Sequence, residues 1–292
     1  MQLKKVFEDL LTPDQDAKVR IKLTEKRNKP YMPLIESNDK YKNIHVGERC
    51  FIIGNGPSLK KVNLKQLSNE YTITVNQSPR MENFSDIHTN YHVWVDERFF
   101  HLSKSDPNDM ELLDVMKHVK TAGNSPIIFY KVAAKSMIDE FQLDKDLNIS
   151  FIMDGFINTN TPNIDFPITA PVPVFSTCIH YAILIAVYMG FKEIYLLGCD
   201  CTGIINTINA RMESSKEFAY AYNISDNERR RMIEQNKKSS LADEFEWYSY
   251  LFRTYGMLFQ YCKRRGVTLL NATEGSILEE VPRVHLDDVL KK

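Results

Sequence analysis

The stretch FIIGNGPSLKKV, residues 51–62, decides how the chain folds. An apolar run leads directly into a glycine turn, Gly-Asn-Gly-Pro at 54–57, after which the sequence becomes polar. A buried strand that ends in a glycine turn is typical of open parallel α/β sheets, where the turn lets backbone N–H groups approach a bound phosphate. We therefore predict a strand followed by a nucleotide contact. A strand-to-helix turn without a ligand is the alternative.

The turn differs from two common phosphate loops. The dinucleotide pattern GxGxxG needs a third glycine, but Leu59 stands at that position. The pattern GxxxxGKS/T is absent, and Pro57 removes one backbone donor. We therefore expect a nucleotide contact of another kind, to which the whole turn contributes. The predicted contacts are Gly54, Asn55, Gly56, Pro57 and Ser58.

Composition excludes several classes of protein. Of the 292 residues 43% are apolar, which is enough for a buried core and argues against a disordered chain. The 37 Lys and Arg residues nearly balance the 38 Asp and Glu residues, so no overall field attracts nucleic acid. No stretch approaches the roughly 20 apolar residues of a membrane span, and the N-terminus does not resemble a signal peptide. We predict a cytoplasmic protein without nucleic-acid partners or a transmembrane segment. Peripheral membrane contact and homo-oligomerisation stay open.

The five cysteines lack the CxxC spacing of metal sites. Cys199 and Cys201 flank Asp200, but their spacing is too short and their partners too few for a zinc site. We interpret the cysteines as free thiols and predict no bound metal.

The sequence divides into regions of different composition. Residues 1–45 are highly charged and predict a helical N-terminal extension, whose apolar stripe around Phe7 covers another surface. Residues 46–286 are predicted to form the main domain, and residues 287–292 a short tail. Within the domain, residues 202–242 are polar and too long for a simple connection, which predicts a lid or helical insertion.

Seven short apolar runs alternate with helical stretches. They are mostly continuous, which suits strands that are covered on both faces. The pattern predicts an α/β fold with a Rossmann-like, mostly parallel sheet and helices on both faces. Residues 176–191 are apolar nearly all round and predict a central buried helix, with Ser176 and Thr177 as candidate caps. The runs are residues 50–54, 71–76, 91–96, 126–130, 149–154, 193–200 and 267–273.

Short polar side chains end three of the predicted strands. Asn76, Asp96 and Asp200 each follow an apolar run. Each alone is more often a turn former or helix cap. Because open parallel sheets bind ligands beyond the carboxyl ends of their strands, three such ends and the glycine turn together predict one binding crevice.

Three blocks of sequence carry a resemblance to known proteins. They are FIIGNGPSLKKVNLKQLSNEYTITVNQ (51–77), STCIHYAILIAVYMGFKEIYLLGCD (176–200) and VTLLNATEGSILEEVPRV (267–284). Together they resemble the bacterial sialyltransferases of glycosyltransferase family 42 and, more closely, the domain-of-unknown-function 115 group. That group includes an archaeal 6-hydroxymethylpterin pyrophosphokinase. The similarity spans roughly residues 47–286.

The resemblance implies a metal-independent glycosyltransferase without a cofactor. It would move a sugar from a nucleotide-activated donor, for instance of the CMP-nonulosonate type, to a cell-surface glycan. Asn55 and Asn76 correspond to asparagines that contact the nucleotide and donor. Thr177 and Cys178 fall where the sialyltransferases carry Thr-Ser facing the donor.

The sequence departs from the sialyltransferases at three points. Asp96 replaces an asparagine, and Thr202 stands where those enzymes carry a phosphate-binding tyrosine. No histidine occurs between Tyr181 and Val284, the region that holds their general base.

Other residues are therefore candidates for these roles. The candidate bases are Asp243, Glu244, Glu246 and His180. Further candidate nucleotide contacts are Tyr220, Tyr222, Asn271, Thr273 and Glu274. A basic run is either a solvated helix face or a clamp for a diphosphate or anionic acceptor. It contains Arg229, Arg230, Arg231, Lys237 and Lys238.

Two alternative functions stay open. The first is an ATP-dependent pyrophosphokinase acting on a hydroxymethylpterin-like alcohol, in which Mg²⁺ would be required and held by Asp96 or Asp200. The second is a nucleotide-binding protein without catalytic activity, which the missing histidine permits.

Overall fold

The computed structural model describes residues 11–122, 125–156, 163–212, 219–236 and 239–291. The described residues form nine strands, nine α-helices and a series of short 3-10 helices. The strands are β1 (Arg49–Ile53), β2 (Tyr71–Val75), β3 (Tyr91–Trp94), β4 (Ile127–Lys131), β5 (Asn148–Ile152), β6 (Asp154–Phe156), β7 (Val172–Pro173), β8 (Glu193–Leu197) and β9 (Thr268–Asn271). The α-helices are α1 (Pro13–Arg27), α2 (Met32–Glu36), α3 (Pro107–His118), α4 (Lys135–Phe141), α5 (Cys178–Met189), α6 (Gly203–Arg211), α7 (Asp226–Asn236), α8 (Leu241–Arg264) and α9 (Leu286–Leu290). The 3-10 helices are Lys29–Tyr31, Ser37–Tyr41, Pro57–Lys61, Leu64–Leu67, Ser78–Arg80, Phe84–Ile87, Glu97–Phe99, Val119–Ala122, Val132–Ala134 and Leu143–Lys145.

Seven strands form one parallel sheet in the order β5-β4-β3-β2-β1-β8-β9. β6 and β7 pair separately. The predicted α/β fold with a Rossmann-like parallel sheet is therefore confirmed. Continuous apolar runs form these strands because both faces of the sheet are buried, as the almost unbroken burial of β1, β2 and β3 shows.

Alternate strand residues divide the core between the two faces. Ile52, Ile73 and Val93 belong to the cluster that contains α5 and much of α8. Phe51 and Ile53 point the other way and pack against the 3-10 helices that follow β1. The helix α5 is apolar nearly all round because it lies between the sheet and α8, and nine of its twelve residues are buried.

The strand order reverses beside β1. From β1 the chain builds β2, β3, β4 and β5 outward to one side, and it returns to place β8 on the other side. The connections that leave β1 and β8 therefore diverge at the carboxyl ends of these two strands. Such a switch point is where open α/β sheets place their ligand crevice.

The described part of the N-terminal extension packs against the β5 edge of the sheet. Ile35 of α2 is fully buried in the cluster formed with β4 and β5. The buried Asn38 side chain donates hydrogen bonds to the carbonyls of Phe151 and Ile168, at 2.7 and 2.9 Å. The predicted stripe around Phe7 lies outside the described residues. The domain boundaries proposed from the sequence stay a prediction.

The glycine turn continues the pairing between β1 and β8. The N–H of Gly54 donates to the carbonyl of Leu197, and the N–H of Gly56 to the carbonyl of Gly198, both at 2.8 Å. A Cβ atom on Gly54 would lie only 2.4 Å from the Gly198 carbonyl oxygen. The close approach of the two chain segments accounts for these glycines. Their N–H groups are donors to the protein, contrary to the expectation that they face a phosphate.

Two Gly→Ala substitutions test this account of the glycine turn. Gly54→Ala should lower the free energy of unfolding by about 1–3 kcal/mol, because backbone atoms of β1 and β8 must move apart. Gly256→Ala, inside α8, should raise the free energy of unfolding by up to about 1 kcal/mol. The added Cβ would lie no closer than 3.6 Å to another atom, and alanine favours a helix interior. Urea denaturation of both variants measures the difference. Equal effects would contradict the account.

Candidate functional site

A cleft opens at the carboxyl ends of the strands, near the point where the strand order reverses. Its larger cavity measures about 670 Å³ and is bounded by the ends of β2, β3 and β4, the start of α5, and α8. A smaller cavity of about 230 Å³ adjoins it beside the glycine turn. Thr177, Cys178 and Tyr220 line both. Small-molecule sites in proteins have this size and position.

Asn76 lines the larger cavity and carries a buried acceptor atom without a partner in the described part of the chain. It follows β2 with a φ of +43°, in the left-handed region that asparagine tolerates better than most residues. Its side chain lines the cavity, and no described residue provides a hydrogen-bond partner for its buried Oδ1. Because a buried polar atom without a partner is costly, a ligand donor would be favoured that meets Oδ1 when the amide group turns toward the cavity.

Lys131 brings a buried positive charge to the cavity. It ends β4, and its Nζ lies 2.7 Å from an oxygen of Asp154 and 3.0 Å from one of Glu97. Asp154 also accepts a hydrogen bond from the hydroxyl of Tyr181, so it is held on two sides. Glu97 is the looser partner, because its side chain is 63% exposed.

The charge on Lys131 is secured by its carboxylate partners. Burial by itself lowers the pKa of Lys131, but Asp154 and Glu97 outweigh that effect and raise it above its ordinary value. Sequence reasoning missed Lys131 because the apolar run ends at Tyr130, one residue before it. A lysine directly after a buried strand was the available signal. Asp154 was noted as the end of a run and was not assigned to the site.

The N-terminus of α5 meets the same cavity. Ser176, Thr177 and Cys178 line it, and the side chain of the N-cap residue Thr177 contacts Cys178 Sγ at 3.8 Å but accepts no hydrogen bond from the helix backbone. The first N–H groups of a helix carry a partial positive charge and bind anions readily. Burial raises the pKa of Cys178 to about 12, so its thiol stays protonated and contributes packing rather than a thiolate.

Residues around the glycine turn mainly hold the strand ends together. Asn55 donates from Nδ2 to the carbonyl of Val75 at 3.1 Å and accepts from the Ser78 hydroxyl at 2.9 Å. Asp200 accepts from the backbone N–H of Ser58 at 3.0 Å and from its hydroxyl at 2.7 Å. These side chains line or border the smaller cavity, together with Pro57 and Thr202. Their predicted contacts with a ligand stay a prediction.

Described residues of the segment predicted as a lid, 202–242, form part of the cleft wall. The N–H of Ala221 donates to the carbonyl of Asn55 at 2.9 Å, which places Tyr220 in the wall of both cavities. The ring of Tyr220 stacks on that of Tyr222 with centroids 5.4 Å apart. Of the predicted clamp, Arg231 forms an ion pair with Glu228 within α7 at 2.6 Å. Lys237 and Lys238 lie outside the described residues.

Carboxylates also border the larger cavity. Asp96, Glu97 and Glu244 line it, with Lys131 as their cationic neighbour. No cluster of three or more His, Cys, Asp or Glu side chains able to enclose a metal ion occurs within the part of the chain that the structure describes. Mg²⁺ is commonly bound by one or two carboxylates together with substrate phosphates, and the adjacent Asp96 and Glu97 fit that arrangement.

Comparison with known proteins assigns the chain to a family. A family model described as MptE-like, 6-hydroxymethylpterin diphosphokinase MptE-like, matches residues 24–205, which is more than half of the chain. The chain belongs to the MptE-like family. The match includes β1 to β8 and the whole of α5, and therefore covers Asn76, Asp96 and Lys131. No curated protein matches the chain.

Family membership corrects two predictions from the sequence. The resemblance to glycosyltransferase family 42 and the domain-of-unknown-function 115 group is wrong, and with it the prediction of a sialyltransferase-like enzyme acting on a sugar donor and a glycan. The departures at Asp96 and Thr202 and the missing histidine agree with this correction. The broader prediction of a transferase agrees with the family.

Among the described residues, no helix is both long and apolar enough to cross a membrane.

Three of the four candidate bases lie away from the cavity or are unsuited to proton transfer. His180 is completely buried, and burial lowers its pKa to about 3. Asp243 closes a capping box with Ser240 at the start of α8, and Glu246 is exposed and outside the cavity walls. Glu244 alone of the four lines the larger cavity.

The predicted contacts at the end of β9 lie outside the walls of both cavities of the cleft. Asn271 and Thr273 are buried, and Thr273 accepts a hydrogen bond from the N–H of Cys199 at 3.0 Å, which joins β9 to the end of β8. Glu274 lines a different cavity of about 580 Å³, together with Arg283. The structure therefore does not bring these three predicted nucleotide contacts to the residues of the larger cavity.

Buried histidines predict an acid-sensitive fold. His92 and His180 are both fully buried, and burial lowers the pKa of each to about 3. Unfolded histidine titrates near about 6.5, so below that pH the unfolded chain binds protons that the folded chain does not. The free energy of unfolding should therefore fall between pH 6.5 and pH 5 by up to about 1.4 kcal/mol per pH unit for each histidine.

The substitution His180→Gln separates this contribution from that of other groups. Denaturation at several pH values should give a shallower pH dependence for His180→Gln than for the wild type. His101→Gln, which replaces an exposed histidine, is the matched control. Parallel curves for the wild type and His180→Gln would show that His180 is not buried in its neutral form.

Proposed function

We propose that the protein transfers diphosphate from ATP to the hydroxymethyl group of a pterin. The observation that carries this proposal is the match of the MptE-like family to the residues that build the cleft, including Lys131 and the N-terminus of α5. The pyrophosphokinase alternative raised from the sequence thus replaces the glycosyltransferase. Its support comes from the family and from the chemistry of the cavity walls.

The reaction places defined demands on the site. The hydroxyl oxygen of the pterin forms a bond to the β-phosphorus of ATP, and the bond from that phosphorus to the oxygen shared with the α-phosphorus breaks. AMP leaves, and the hydroxyl proton is released. Because the transition state of phosphoryl transfer is loose, alignment of the two substrates and neutralisation of phosphate charge supply most of the catalysis.

The charges around the cavity suit a triphosphate that arrives with a divalent cation. Lys131 and the uncapped N-terminus of α5 offer positive potential to phosphate oxygens. Asp96 and Glu97 would repel a bare triphosphate, and they would be the residues that hold Mg²⁺. The ion would supply neutralisation of phosphate charge. Of the two metal ligands suggested by the sequence, Asp200 is less suited, because both of its oxygens accept hydrogen bonds from Ser58.

A direct assay tests the proposed function. The full chain is incubated with ATP, Mg²⁺ and 6-hydroxymethyl-7,8-dihydropterin, and nucleotides and pterins are separated by chromatography. We expect equal amounts of AMP and a pterin diphosphate, and loss of both when EDTA is added. Formation of ADP and a pterin monophosphate would indicate a simple kinase. Absence of any product while ATP still binds would favour the non-catalytic alternative.

Asn76→Gly tests whether the cleft binds the nucleotide. Glycine adopts the positive φ of this position readily, so the fold should be kept while the unsatisfied Oδ1 acceptor is lost. We expect the affinity for MgATP to fall about tenfold, the value of one hydrogen bond from a ribose hydroxyl or the adenine amino group to Oδ1. Isothermal titration calorimetry measures the change.

Asn43→Gly is the matched control for this substitution. Asn43 also has a positive φ, of 56°, but it lines a different cavity. Its replacement should leave MgATP binding unchanged. Unchanged binding by Asn76→Gly as well would remove Asn76 from the nucleotide site.

A further inference from the structure

We propose that one face of α8 binds the ring of the acceptor substrate and recognises it as a 2-amino-4-oxopyrimidine. The face consists of Glu244, Trp247, Tyr248 and Leu251, called here the α8 face. The choice of a pterin as the ring rests on the proposed function. The residues themselves lie outside the family match, which ends at residue 205, so the family does not assign them.

The spacing of these residues puts them on one side of the helix. They occupy positions i, i+3, i+4 and i+7, which form a continuous stripe on an α-helix. All four line the larger cavity. Glu246 lies between them in sequence but outside the cavity walls. The helix thus presents one carboxylate, two large aromatic rings and an aliphatic side chain to the cavity.

This combination matches the chemistry of a pterin ring. A 2-amino-4-oxopyrimidine carries an amino group and a ring N–H side by side, and a carboxylate accepts from both at once. Aromatic side chains stack on the flat faces of such rings. Adenine has no ring N–H next to its amino group and would satisfy only one carboxylate oxygen. The α8 face therefore favours the pterin over the adenine of ATP.

Contacts behind the α8 face hold it in position. The hydroxyl of Tyr248 approaches Gly203 of α6 so closely that a Cβ at Gly203 would lie 2.5 Å from it. Glu244 accepts a hydrogen bond from the hydroxyl of Ser239. The hydroxyl of Tyr250 donates to the carbonyl of Val174 at 2.9 Å, which fixes α8 against the segment that leads into α5.

Trp247 is the feature that core packing does not explain. Its side chain is 46% exposed, whereas the other tryptophan of the chain, Trp94, is completely buried. A large aromatic side chain that is left half exposed at the mouth of a cavity is available to cover a flat ligand. It also provides a fluorescent reporter, because a pterin stacked on Trp247 would quench its emission.

The test compares Glu244→Gln with Glu246→Gln in the full chain, without ATP present. Binding of 6-hydroxymethylpterin is followed by quenching of tryptophan fluorescence and by calorimetry. We expect Glu244→Gln to weaken binding about ten- to a hundredfold, because the amide replaces one of two acceptors by a donor that opposes the ring. Glu246→Gln, the same change two residues away, should bind like the wild type. Equal affinities for both variants and the wild type would overturn the proposal.

Trp247→Phe and Trp247→Ala provide a second measurement. Both should reduce the quenching, because only Trp94 then remains to report. Trp247→Ala should also weaken binding in calorimetry, while Trp247→Phe retains most of it. Circular dichroism and thermal unfolding check that each variant is folded. An affinity of Trp247→Ala equal to that of the wild type in calorimetry would place the ring elsewhere and contradict the proposal.

Three outcomes separate this proposal from the proposed function. Binding of the pterin that depends on Glu244, without formation of AMP, would support the α8 face and refute diphosphate transfer. Transfer with an unchanged KM for the pterin in Glu244→Gln would support the function and refute the α8 face. Glu244-dependent binding of guanosine but not of the pterin would support recognition of the 2-amino-4-oxopyrimidine ring and replace the pterin by a nucleoside.

Discussion

The close contact between the glycine turn and the end of β8 is the constraint on which the cleft depends. Gly54 and Gly56 extend the pairing of β1 with β8 beyond both strands, where a side chain would collide with the Gly198 carbonyl or the Asp200 carboxylate. Asp200 then anchors the start of the next 3-10 helix through Ser58. These contacts hold the ends of β1 and β8 together. The segments that follow the two strands then diverge, and the cleft lies next to the point of divergence.

The charges in the cleft come from residues at the carboxyl ends of the strands and from the N-terminus of α5. Burial lowers the pKa of Lys131 at the end of β4, but Asp154 and Glu97 raise it by more, so the charged form is favoured. Removing a single partner from a buried ion pair is costly, so this cluster also constrains the fold. The N-terminus of α5 adds positive potential without a side chain. The negative charges of Asp96 and Glu97 oppose the positive charge of Lys131 and the positive potential of the helix N-terminus. This arrangement suits a phosphate chain that is accompanied by a divalent cation.

The sequence was sufficient to predict the parallel sheet and the central helix. The runs that form β1, β2 and β3 are continuous because both faces are covered, and the apolar α5 could only be a buried helix. Asn76 and Asp96 both line the larger cavity because parallel strands present their carboxyl ends at one edge. Asn271 and Glu274 follow the same rule in sequence, but β9 lies at the far edge of the sheet and its end belongs to another cavity.

Other parts of the site depend on contacts that sequence patterns do not contain. Nothing in the spacing of the glycine turn reveals that its N–H groups already have partners in β8. Lys131 gains its environment from Asp154, which reaches it from the segment after β5. The α8 face reaches the cavity only because α8 packs against α5. These contacts join residues that are far apart in the sequence, and they determine which polar side chains come together in the site.

The most direct test of the central claim, that this cleft binds and transfers diphosphate, is a crystal structure of the full chain with Mg²⁺, hydroxymethylpterin and α,β-methylene-ATP. In this analogue the bond that the reaction breaks is replaced by one that cannot be cleaved. The account predicts the phosphates beside Lys131 and the N-terminus of α5, with the pterin between them and α8. Nucleotide bound instead in the cavity beside Arg265, at the other end of the sheet, would contradict it.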